Sequence, residues 1–397
     1  LVPHRSYSRK VVFVGLCQTQ AIFNLYARHI APLLDEEVVY VELHPWLAAE
    51  EVPERLPPLL GADLVVEQRF DTPSRIPPEF VGPSVPRVWH PYVHVSFLWP
   101  FSTHPHPRNQ RIPWLRLGPY DQEMGDRFLN RMIREKVPVE SAVQRYLETD
   151  VAAVTGVDRV MELNFAMLRE REAATDIRVA DFIEGHFRGE YLFHTKGHPT
   201  PVMLNILARQ VLETLEVPHS LIAAALRSPA AGTRFTRELP VHPAVAAHLG
   251  LSFATAERRY RYLDEGYFTF AEFAARYMQY VWDPQLAEAI QGSRTGSNPA
   301  QVVERLLPAL ARCPDSLAGW TALSGALGQL GRWEEAHAAL DRAAQVDPTD
   351  VDVAVMRGFT FLREQRLAQA EEAARAAIEL APFAPGGHQI LVDTLLE

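Results

Sequence analysis

The sequence predicts a two-part fold: an α/β domain built on a parallel sheet over residues 1–290 and an all-α repeat domain over residues 300–397, joined by a linker at 291–299. Three observations predict it. Short apolar strands alternate with helical stretches in the first part of the chain; Pro314, Pro348 and Pro382 recur every 34 residues near the end; and residues 291–299 are rich in small, turn-forming types.

The first strand is the run Val11, Val12, Phe13, Val14 and Gly15, and a helix is expected over 18–34, with Ala21, Ile22, Leu25, Ile30 and Leu33 near one face. Residues 38–43 and 64–68 read as further strands. The stretch 71–119, dense in proline and aromatic residues, is too long for an idle connection and is expected to hold a hidden strand over 87–94. Helices dominate 121–184. A strand at 191–194 leads through Thr195, Lys196, Gly197, His198 and Pro199 into a long helix over 200–215, which echoes the N-terminal strand-to-helix turn. A last helical group, 254–261 and 269–281, closes the domain.

The 34-residue period is that of tetratricopeptide repeats, and the residue types follow it. Trp320, Leu323, Leu327, Gly331, Ala336, Ala343 and Pro348 fall where such repeats place large, small and turn residues, and Gly358, Phe361, Ala370, Ala377 and Pro382 repeat the scheme. A third unit ends inside its first helix, and 302–313 reads as a lone helix before the first repeat. Stacks of this kind bind a protein partner, dock on a neighbouring domain or pair two copies into a homodimer, and the sequence leaves these open.

Composition narrows the class. The formal charge of −10 opposes a general role in binding nucleic acid, and no window has the roughly 20 uninterrupted apolar residues of a membrane span. The N-terminal residues lack the apolar core of a signal peptide, and the two cysteines, Cys17 and Cys313, fall in different predicted domains, so a reducing, cytoplasmic setting is expected. The best local site for an anion is Arg108, Arg111 and Arg116 around Trp114. The pairs His90 with His94 and His104 with His106 lie in proline-bounded extended segments, where neighbouring side chains diverge, so no metal site is expected.

The chemistry is expected where the first strand stops. Cys17 stands at a helix N-terminus, where backbone N–H groups lack intrahelical partners and the helix dipole favours a thiolate. Gln18 and Thr19 follow it and could complete an oxyanion hole, bind phosphate or only cap the helix. In an open parallel sheet the strand-to-helix turns gather on one edge, which makes His198 a neighbour of Cys17 and a candidate base. Lys196 would supply positive charge to an anionic ligand, and His90 ends a strand that reaches the same edge.

With these residues in hand, the first domain resembles the WcbI-like family of capsular polysaccharide biosynthesis proteins, acetyltransferases whose fold is related to the SGNH hydrolases. Gly15, Leu16, Cys17 and Gln18 are similar to that family's Gly-Asn-Cys-Gln turn. Asp181, Phe182 and Ile183 through Leu192, Phe193 and His194 to His198 and Pro199 are similar to its late block, and His90 with Pro91 to its middle one. Leu16 and Gly197 stand where the family has asparagine. The resemblance implies an SGNH-hydrolase-like domain that binds coenzyme A and uses acetyl-CoA as donor to a sugar hydroxyl of a capsular polysaccharide or exopolysaccharide. Cys17 and His198 would be catalytic, and Gln18, Thr19, His90 and Lys196 would lie at the coenzyme. Two other readings use the same residues differently: an esterase with water as acceptor, and a non-catalytic scaffold whose repeats do the work.

Overall fold

The computed structural model describes residues 7–44, 47, 49–70, 74–110, 117–227, 237–262, 266–280, 283–348, 350–380 and 385–396. The chain forms two compact units, Leu1–Ser102 with Leu147–Arg258 and Thr103–Tyr146 with Arg259–Glu397.

The first unit is α/β. Its sheet holds β1 (Arg9–Gly15), β2 (Glu36–Glu42), β3 (Leu64–Arg69) and β4 (Arg87–Pro91) in the order β2-β1-β3-β4, all parallel. Near-continuous apolar runs suit strands covered on both faces. On one face Phe13 meets Phe23 and Tyr26 of α1 (Cys17–His29) at ring separations of 5.9 and 5.3 Å. On the other, Val12, Val14 and Val65 pack with Val52, Leu56 and Leu59. Strand order reverses at β1, with β2 on one side and β3 on the other, so the carboxyl ends of these strands open the crevice where ligands bind in such sheets.

Two expectations for this unit change. The segment 191–194 does not join the parallel sheet. Instead, β5 (Phe193–Thr195) pairs antiparallel with β6 (His198–Pro199) in a small hairpin, and the helix Pro201–Thr214 starts after Thr200 with Pro201 in its first turn and lies beside α1. The stretch 254–261 is not helical. It makes turns before β7 (Tyr260–Tyr262), in which buried Tyr260 and Tyr262 flank a half-buried Arg261, a period of two that belongs to a strand.

β7 opens the second unit's later segment, pairing with β8 (Gly266–Phe268). The helix Phe270–Gln279 follows, begun by a capping box of Thr269 and Glu272. Tyr120, Tyr262, Tyr277, Tyr280 and His106 form an aromatic core, with Tyr120 stacked on Tyr262 at 4.8 Å. The helices Leu317–Gln329 and Trp333–Val346, then Val351–Arg363 and Leu367–Leu380, are the two expected repeats, and Pro385–Leu396 opens the third. Ala336, Ala343, Ala370 and Ala377 are buried where the period places small residues; Pro382 lies outside the described residues.

The linker expectation also changes. Residues 291–294 finish the helix Pro284–Arg294, a short turn follows, and Asn298 caps the helix Pro299–Arg312. Ala289 and Ile290 share a core with Val302, Val303 and Leu306, so the segment is the turn of a helix pair that precedes the first repeat. The helix expected alone at 302–313 therefore has a partner. Among the described residues no helix is long and apolar enough to cross a membrane.

Candidate functional site at the carboxyl edge of the sheet

β1 ends at Gly15 and α1 begins two residues later, and nothing larger than glycine fits the elbow between them. A Cβ on Gly15 would stand 2.1 Å from Thr19 Oγ1 and 2.7 Å from Gln68 Cβ. Leu16 is the N-cap residue and offers no side-chain cap; its own N–H donates to Gln68 Oε1 at 2.9 Å. Cys17 is therefore the first helical residue, and its thiol is exposed. Neither a capping side chain nor an acidic residue occupies the first turn, so the positive end of the helix is not neutralised there.

Gln18 is buried and holds the site together. Its Nε2 donates to Val93 O at 2.7 Å and to Gly197 O at 2.9 Å, while its Oε1 accepts from Val93 N at 3.0 Å and from Gln68 Nε2 at 3.1 Å. Both N–H groups and both oxygen lone pairs of the amide are used. The residue after Cys17 is thus tied to the residue before His198, and two segments far apart in sequence share one edge.

Thr19 and His90 form a second buried contact beneath the elbow, with Thr19 Oγ1 3.0 Å from His90 Nε2. His90 Nδ1 faces Pro91 O at 3.2 Å, and a carbonyl only accepts, so Nδ1 carries the proton, while the single Thr19 hydroxyl proton is shared between His90 Nε2 and Gln68 Oε1, 3.3 Å away. Burial pulls the His90 pKa down to about 4, against a smaller opposing effect of the Pro91 carbonyl, and the ring is neutral at physiological pH.

His198 is half-buried, with Nδ1 2.8 Å from Thr195 Oγ1 across the tight turn of the hairpin. Lys196 Nζ donates to Ser102 O at 3.1 Å, and its carbonyl accepts from Val95 N, which pins the turn to the segment after β4. Burial, and after it the charge of Glu42, raise the pKa of Tyr40, whose hydroxyl donates to Gly15 O at 3.0 Å.

The structure thus brings Cys17, Gln18, Thr19, His90, Lys196 and the His198 hairpin together at one edge. The side chains of Gln18, Thr19 and His90 are buried and bond to one another's supports, so they frame the site. Sequence reasoning missed Gln68, Val93 and Thr195. A polar residue closing the apolar strand Leu64, Val65, Val66, Glu67, Gln68 was the available signal for Gln68; Val93 acts through its backbone and gives none.

Of the basic cluster, Arg108 donates to Tyr280 O at 3.1 Å within the second unit; Arg111, Trp114 and Arg116 lie outside the described residues. His106 is buried among tyrosines, and burial lowers its pKa to about 4. Among the described residues no group of three or more His, Cys, Asp or Glu side chains is placed to hold a metal ion.

Residues 10–220 match the family model described as polysaccharide biosynthesis enzyme WcbI. The chain belongs to this family. A solved structure of WcbI, described as a novel polysaccharide biosynthesis enzyme in its native form without a disulfide bond between coenzyme A and one of its cysteines, is 18% identical with a TM-score of 0.50. The match covers 80% of this chain and 99% of that one, and it gives the WcbI fold. The TPR2AB-domain:pHSP90-complex of yeast Sti1 is 15% identical over 68% of this chain and 96% of that one, at a TM-score of 0.26, too loose a superposition to carry weight. No curated protein matches the sequence. The WcbI match spans the elbow at Cys17, the end of β4 and the His198 hairpin, the three segments that Gln18 and its partners join.

Proposed function

We propose that this WcbI-family chain is an acyl-coenzyme A dependent O-acyltransferase that carries an acetyl group to a sugar hydroxyl of a capsular polysaccharide or exopolysaccharide. The observation that carries the reading is the Gln18 clamp, which joins an exposed thiol at an uncapped helix start to a histidine hairpin at the switch point of a parallel sheet. That a WcbI structure is described by reference to coenzyme A and a cysteine supports the same ligand here.

In the reaction we assign, His198 acts in the tautomer whose Nδ1–H donates to Thr195 Oγ1, 2.8 Å away, and Nε2 removes the proton of the acceptor hydroxyl. The resulting alkoxide attacks the thioester carbonyl, and the tetrahedral oxyanion is stabilised by the first N–H groups of α1. Collapse of the intermediate breaks the C–S bond, and the departing thiolate takes the proton from His198. Cys17 either shapes the oxyanion site or accepts the acyl group first.

Incubation with acetyl-CoA and candidate glycans, with release of the free thiol as readout, tests this. His198→Ala is expected to lower kcat roughly 10²–10⁴-fold. With Cys17→Ala, loss of a trapped acyl-enzyme together with activity assigns the nucleophile, whereas sequential kinetics with a smaller loss assigns the oxyanion role. Unchanged turnover in both variants contradicts the reading, and thiol release that needs no glycan moves it to a hydrolase.

A further inference from the structure

The segment after β4 presents a feature that the reaction does not use. Val93 and Val95 are fully buried, whereas Tyr92 and His94 are half-buried, so buried and part-exposed side chains alternate along this run. Tyr92 lies 5.1 Å from Phe70, just past β3, and 5.9 Å from His94, the rings tilted by 37° and 35°. The three rings make a fan at the carboxyl ends of β3 and β4.

The fan is held from behind. Arg171, itself buried, donates to Tyr92 O at 3.2 Å and places its guanidinium 5.8 Å from the Tyr92 ring centroid. Asn164 donates to His94 O at 3.0 Å and accepts from Ser96 N at 2.7 Å. On the other edge of the same run, the Val93 backbone is clamped by Gln18. Tyr92 and His94 therefore flank the residue tied to the start of α1.

We propose that Phe70, Tyr92 and His94 form a stacking shelf for a pyranose ring of the acceptor glycan. The proposal rests on the acyl-transfer reading for the presence of a sugar at this edge. One face of a pyranose is a row of C–H bonds with partial positive charge, which suits the negative face of an aromatic ring, while its hydroxyls suit the polar edges of tyrosine and histidine. The adenine of coenzyme A is the competing occupant. It is the end of that ligand remote from the thiol, whereas the shelf adjoins the run clamped beside Cys17.

Saturation-transfer NMR of the full chain, with methyl β-galactopyranoside, methyl α-mannopyranoside and N-acetylglucosamine as probes in the presence of coenzyme A, tests the shelf, with coenzyme A affinity measured in parallel by calorimetry. The expected result is transfer to the ring C–H protons of at least one probe, strongly reduced by Tyr92→Ala and kept by Tyr92→Phe, with coenzyme A affinity unchanged. Tyr92→Leu replaces the alanine variant if that one fails to fold. No transfer from any probe to the wild type, equal transfer in Tyr92→Ala, or a loss of coenzyme A affinity in its place overturns the proposal. If the probes bind through Tyr92 but coenzyme A does not bind, the shelf stands and the acyl-transfer reading fails.

Discussion

His90 lies buried beneath the elbow of the candidate site, bonded to Thr19. Its folded-state pKa of about 4 lies below the ordinary 6.5, so the unfolded chain takes up a proton in a range where the folded chain does not. The stability of the neutral ring is complete above pH 6.5 and falls as the pH drops toward 4, by up to about 3 kcal/mol at the low end. Denaturant unfolding at pH 7.5 and 4.5 checks this: the wild type should lose more stability between the two than His90→Gln, and equal losses would sink the argument. The place of Cys17 at the turn after the first strand was legible from residue types, whereas the hairpin that holds His198 was not. Thr195 was not legible, because it acts through a turn that local sequence does not specify, and Gln68 showed only as the polar end of an apolar strand.

At the scale of elements, the elbow between β1 and α1 is the tightest feature of the site. Gly15→Ala pushes a methyl group into Thr19 and Gln68, whose hydrogen bonds support Leu16, Gln18 and His90. The expected cost is about 1–3 kcal/mol, seen as a lower melting temperature, with weakened coenzyme A binding. Gly185→Ala, at a helical position with nothing within 4 Å of the added atom, is the control and should leave binding intact while stabilising slightly. A normal melt and normal binding in Gly15→Ala would show the elbow to be slack. The strands at 11–15, 38–43 and 64–68 were readable from their apolar runs. The hairpin at 193–199 was not, since three apolar or aromatic residues before a turn look alike whether they enter a sheet or pair locally. The stretch 254–261 misled through helix-forming residues whose tyrosines follow a strand period.

Across the whole molecule, the repeat array was legible because a period of 34 residues survives substitution at single positions, and small residues reappear where helices approach. The extent of each unit was not. Residues 103–146 return to the second unit through the contacts of Tyr120, Asp126 and Asn130 with Tyr262 and Tyr277, which are remote in sequence. We propose that the repeats recruit a protein partner or pair two copies, while the first unit carries the chemistry. The central claim is that Cys17 and the His198 hairpin meet coenzyme A at the carboxyl edge of the parallel sheet. A crystal structure of the full chain with acetyl-CoA or coenzyme A tests it most directly. The account predicts the thiol end at the first turn of α1, beside Cys17 and facing His198; a coenzyme bound with its thiol elsewhere, or no bound coenzyme at saturating concentration, would contradict it.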